Sequence, residues 1–118
     1  MVLAAARIQS EVVKLQSERQ EILKKLDHLQ VEMYNLAEPT ADEADVNTHE
    51  REKIWALMQS LKAKLESIDR ALNLARNGRY GTCQTCGDEI DPARLEILPQ
   101  ATLCLKCQRD WERHNRRP

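Results

Sequence analysis

"NGRYGTCQTCGDEIDPARLEILPQATLCLKCQ", residues 77–108, holds all four cysteines of the chain. Cys83-x2-Cys86 and Cys104-x2-Cys107 are separated by 17 residues. Two thiolate pairs at this spacing can meet tetrahedrally around one zinc ion, at about 2.3 Å per bond. Gly87 follows the first pair, where a tight knuckle needs a permissive backbone. Iron suits the same four-sulfur shell. A redox pair would be expected near a βαβ pattern, which is absent here. Two disulfides fit poorly with the intracellular setting read below. Four sulfurs leave no open coordination position, so the ion is expected to be structural. A segment of about 30 residues with few apolar side chains would then owe its fold to the metal.

Upstream of the cysteines, apolar residues recur at Ile8, Val12, Leu15, Ile22, Leu26, Leu29, Met33 and Leu36, with Arg19 at the one missed step. The spacing alternates four and three, the seam of a heptad repeat. A second seam runs Ile54, Met58, Leu61, Leu65, Ile68, Leu72, Ala75 and stops at Asn77-Gly78. Glycine past a helix end takes the left-handed conformation without a β-carbon clash. Pro39 ends the first helix near Ala37, because a residue before proline disfavours the helical region. A short break between two matching seams predicts an antiparallel coiled-coil hairpin. The seams could instead serve dimerisation or a third helix. Self-pairing is favoured by the high effective concentration across a short connection.

The break, "AEPTADEADVNTHE" (residues 37–50), contains the string D-E-A-D, familiar from nucleotide-driven helicases. Such a motor needs a G-x-x-x-x-G-K-[ST] loop. Gly78, Gly81 and Gly87 all lie downstream and form no such pattern, so that reading fails. Residues 38–52 place Glu38, Asp42, Glu43, Asp45, Glu50 and Glu52 against Arg51 alone. The macrodipole accounts for one or two acids at a helix start. Six suggest a probe for a basic or metal-bearing site.

Composition narrows the rest. The 118 residues carry a net charge of −1, no Phe and 31% charged residues. That balance favours long exposed helices over a bulky core. No global attraction to nucleic acid or anionic membrane follows from it. No apolar run approaches the roughly 20 residues of a membrane span. "MVLAAARIQSEVV" at the start has no apolar core bounded by a cleavage site, so no secretory signal is read and a cytoplasmic protein is expected. After Cys107, "QRDWERHNRRP" reads as a short helix with a basic tail. Trp111 is expected to pack on the zinc module or the hairpin base. His114 is expected to be an exposed imidazole. Arg109, Arg113, Arg116 and Arg117 read as a solvated face, with phosphate contact the alternative.

A coiled-coil hairpin with an acidic turn, followed at once by this zinc module, resembles the DksA/TraR family of bacterial RNA polymerase-binding regulators. The specific match covers residues 77–113 and includes Gly81, the four cysteines, Gly87, Arg94, Pro99 and Leu103. Over the hairpin the match is architectural. The resemblance implies a mainly α fold: a long antiparallel coiled-coil hairpin, a small four-cysteine zinc finger and a C-terminal helix. Domains would be 1–77, with the tip at about 38–47, and 78–118, zinc finger, helix and basic tail. It implies a non-enzymatic regulator whose tip enters the secondary channel of RNA polymerase and alters the stability of open promoter complexes. The family's D-x-x-D-x-A tip falls on Asp42 and Asp45, with Glu43 between them and Asn47 where alanine is usual. Arg94 is a candidate contact with the polymerase rim.

In alarmone-responsive relatives, those of the stringent response, basic residues help form a ppGpp site with the polymerase. The matching positions here are Ser67, Leu98 and Gln108, which implies weak or no ppGpp dependence. The seam starts within the first few residues, so no counterpart of the N-terminal segment of longer relatives is expected. The protein is read as a monomer with no direct sequence-specific DNA binding.

Three rivals remain open at this stage. Transcript-cleavage factors also use an acidic hairpin tip, but their C-terminal domain has no four-cysteine site. A zinc module that binds nucleic acid or protein is a second. Acidic Asp88, Glu89, Asp91 and Glu96 against Arg94 argue against DNA reading. A thiol redox sensor is the third, and only the cysteines support it.

Overall fold

A computed structural model describes residues 5–36 and 44–115, and the side chains of 8–36 and 48–115. Four helices follow in order: α1 Ala5–Asn35, α2 Ala44–Arg76, α3 Pro92–Ile97 and α4 Leu105–Asn115. Among the described residues the only β pairing is an isolated antiparallel bridge between Thr82 and Glu89. The fold is mainly α, a coiled-coil hairpin followed by a four-cysteine finger and a terminal helix.

The heptad seams become the buried line of the hairpin. Leu15, Ile22 and Leu29 of α1 and Ile68 and Leu72 of α2 are buried, and the other seam positions are half-buried. Helix α1 ends at Asn35, where the Leu36 N–H donates to Met33 O at 3.2 Å in a tight turn. Ala37 and Pro39, to which the stop was assigned, lie outside the described residues. Helix α2 ends as its glycine requires. Gly78 has φ +70°, its N–H donates to Ala75 O, and Arg79 N–H donates to Leu74 O at 2.8 Å. This is the paired closure that satisfies the last carbonyls of a helix.

The chain forms two compact units, Met1–Ser17 with Ser67–Pro118, and Glu18–Glu66. In the second unit Ile22 and Leu29 supply the buried positions, and Lys64 Nζ crosses from α2 to within 2.6 Å of Glu18 Oε1. Pairs along one helix, His28–Glu32 and Lys53–Glu50, are exposed and contribute little.

In the first unit the core draws on α1, α2 and the finger, while α4 has no buried residue. Leu15, Ile68 and Ala71 are fully buried together with Ile90 and Leu95 of the finger. Tyr80 is buried as well, and its hydroxyl donates to Pro99 O at 2.9 Å, tying the finger's first loop to the segment before Cys104. Burial, and then the charge of Glu11, push the Tyr80 phenol well above its ordinary range. Glu11 itself is only 4% exposed; Lys14 Nζ reaches its Oε1 at 3.3 Å, and its Oε2 has no hydrogen-bond partner. The hairpin base and the finger thus share one core, with a carboxylate inside it that the seam pattern does not reveal.

Candidate metal centre

Two knuckles bring the cysteines together. In the first, Cys83 N–H donates to Asp88 O at 2.7 Å and Gly87 N–H to Cys83 O at 3.0 Å. Gly87 has φ +80°, the left-handed value that a β-carbon would strain. Gly81 has φ +86°, and its carbonyl receives Ile90 N–H at 2.8 Å. In the second knuckle Cys107 N–H donates to Cys104 Sγ at 3.5 Å, as α4 begins. Gln84 N–H donates to Thr102 O at 2.9 Å and joins the two knuckles. Between them, Asp91 caps α3 by accepting Ala93 N–H at 3.0 Å, with Pro92 at the first helical position.

The four Sγ atoms of Cys83, Cys86, Cys104 and Cys107 all lie within 4.8 Å of one another, and Cys86 Sγ is 3.8 Å from Cys104 Sγ. Sulfurs bound at about 2.3 Å in a tetrahedron stand roughly 3.8 Å apart, so the donor set fits one zinc ion. Protonation points the same way. Burial pushes the Cys83 thiol up, but backbone hydrogen bonds at Cys86, Cys104 and Thr85 outweigh it and bring the group to about 6. The bond to Cys104 pushes Cys107 up to about 12. Cys86 is also raised: the Asp88 backbone hydrogen bond lowers it, but the bonds to Cys83 and Cys104 together with burial outweigh that. Four thiols by themselves oppose one another's ionisation; a divalent cation removes the opposition and, with all four positions filled, leaves none for a substrate.

A prediction follows for zinc uptake at neutral pH. Cys86 and Cys107 are protonated there, so each zinc bound must release at least two protons. A pH indicator in weakly buffered solution during zinc titration reads this directly. Release of fewer than two would mean that these thiols are not ligands.

The same unit contains a groove of about 830 Å³. Ser67, Leu98 and Gln108, distant in sequence, all line it, together with Arg70, Arg94 and Arg109. Arg94 is half-buried, and its Nε is buried without a hydrogen-bond partner. Trp111 also lines the groove but keeps 56% of its surface exposed, a looser packing than its size suggested. Arg70 draws no site reading from sequence, since it lies in an ordinary charged helix face, whereas Arg109 reads there as part of a solvated face with phosphate contact the alternative. His114 is exposed and its Nδ1 lies 2.9 Å from Asp110 O, within its own helix.

Of the tip residues, Asp42 and Glu43 lie outside the described residues. Asp45 and Asn47 fall in the first turn of α2, their side chains likewise outside them. Arg116 and Arg117 of the basic tail also fall outside.

A zinc-stapled helical hairpin is the class this architecture defines. The pattern of the prokaryotic dksA/traR C4-type zinc finger matches residues 78–113. Over 108 residues the chain is 36% identical to the "RNA polymerase-binding transcription factor DksA" of Caulobacter vibrioides, covering 88% of this chain and 72% of that protein. Among solved structures, transcription factor DksA2 from Pseudomonas aeruginosa superposes with a TM-score of 0.84 at 28% identity, over 96% of this chain and 88% of that one. The structure of an RNA polymerase binding protein and transcriptional regulator from Chlamydia trachomatis matches at 0.53 and 26% identity, over 99% and 100% of the two chains. The chain belongs to the DksA/TraR family, and its four cysteines form a C4-type zinc site.

Proposed function

We propose that the protein is a transcription regulator that binds bacterial RNA polymerase and acts by occupancy, not catalysis. The observation that carries this is the 36% identity with a polymerase-binding DksA over most of both chains, in a protein that keeps the hairpin and the zinc finger. In this reading the hairpin enters the secondary channel with Asp42 and Asp45, and Glu43 beside them, toward the active centre. Asn47, in place of the usual alanine, tunes their contacts. The finger stays at the rim, where Arg94 is a contact. Residues 1–77 are then the working arm and 78–118 the docking module. No described helix is long and apolar enough to cross a membrane, which agrees with a cytoplasmic role. The protein acts as a monomer and does not read DNA sequence. The test is the lifetime of competitor-resistant open complexes formed by purified holoenzyme. The account expects added protein to change it in a saturable way; no change at saturating concentration contradicts it.

Ser67, Leu98 and Gln108 bring no cation to the groove they share. The transcriptional effect is therefore expected to differ by less than about twofold with and without ppGpp, because phosphate binding depends on charge-assisted bonds. Strong synergy would contradict this and would mean that Arg70 and Arg109 replace the missing charges.

A further inference from the structure

Beyond the tip and the finger, the Glu18–Glu66 unit has a cleft of about 590 Å³ lined by Met33 of α1 and by Thr48, Arg51, Glu52, Trp55 and Ala56 of α2. Trp55 is 61% exposed. Tyr34, next to Met33 in the chain, is 80% exposed. A single exposed apolar residue is ordinary on a protein surface. A tryptophan that flanks a cleft, with an arginine one turn away, is the composition of an interface anchor. The seam does not explain it, because Trp55 stands one position beyond Ile54 and points off the buried line.

Position indicates what covers it. Helix α2 is continuous from Ala44 to Arg76, so Trp55 lies ten residues from Asp45, about 15 Å along the helix at ~1.5 Å per residue. Residues 45, 48, 52 and 55 follow the three-and-four spacing of one helix face. A partner that surrounds the hairpin far enough to reach Asp45 on that face therefore also surrounds Trp55.

We propose that Trp55, seated beside Met33 and Arg51, is a second anchor between the hairpin and the wall of the polymerase channel, setting how deeply the tip enters. This rests on the secondary-channel reading above. Its occupant is the same polymerase that receives the tip, through an apolar side chain of the channel wall that fills the cleft. The tip acids then govern the effect on the promoter complex, and Trp55 governs residence.

The experiment is equilibrium binding of N-terminally labelled protein to core RNA polymerase, comparing wild type, Trp55→Ala, Trp55→Gln and Trp55→Phe. Exposure of the side chain means that its removal leaves the helix intact, which circular dichroism checks. Truncation to Ala or Gln is expected to weaken binding by about 30-fold, the scale of a hot-spot aromatic, while Phe retains most of the affinity. A photocrosslinker at position 55 is expected to capture polymerase and to lose that capture when a secondary-channel factor competes. Wild-type affinity in both truncations overturns the anchor and leaves the function standing. Absence of wild-type binding overturns the function, and the anchor with it.

Discussion

Cys104→Ser is expected to abolish zinc binding and unfold the module from residue 79 onward, leaving it open to proteolysis between Arg79 and Arg109. Cys104 is central to the cluster: its Sγ lies 3.8 Å from that of Cys86 and accepts the Cys107 N–H. The apolar core the finger contributes is small, chiefly Tyr80, Ile90 and Leu95. Structural zinc supplies about 10–16 kcal/mol at neutral pH, as much as or more than the ~5–15 kcal/mol that stabilises a typical domain. The finger also covers Leu15, Ile68 and Ala71 at the hairpin base, so its loss exposes them and frays that end. Most helical residues belong to α1 and α2, so far-UV circular dichroism will fall only modestly. Zinc content and limited proteolysis with trypsin are the decisive readouts. An intact protease-resistant finger in the serine variant would contradict the account.

The second large effect concerns the tip. Asp42→Ala with Asp45→Ala, assayed at saturation, is expected to reduce the effect on open-complex lifetime by about tenfold or more, the factor that corresponds to ~1.4 kcal/mol of lost differential interaction. Affinity for polymerase should change far less, because the proposed docking surfaces, the finger and Trp55, lie elsewhere on the chain. Loss of binding and effect in equal measure would recast the acids as docking residues. Shortened transcripts on stalled elongation complexes, dependent on the same two acids, would instead support cleavage.

Much of this was legible in the sequence because the relevant signals are periodic or stoichiometric. The four-three spacing assigned Leu15, Ile22, Leu29, Ile68 and Leu72 to one line, and all five are buried; Ala71 and Glu11 are buried off that line. Two C-x-x-C pairs named the sulfur cluster outright. Asn77-Gly78 marked the end of α2, one residue past Arg76. What stayed hidden depends on tertiary neighbours. Glu11 reads as a surface acid next to Val12, yet it is buried because Tyr80 and the finger come to lie over the base. Arg70, Arg94 and Arg109 sit on three different helices and meet only in the folded groove. Trp55 lies one position off the seam, and its cleft with Met33 forms only in the folded hairpin.

The central claim, that this hairpin works inside RNA polymerase, is tested most directly by binding of the labelled protein to bacterial core polymerase with a known secondary-channel factor as competitor. The account predicts saturable binding that the competitor displaces. No binding at micromolar concentrations, or binding that the competitor leaves untouched, would contradict it.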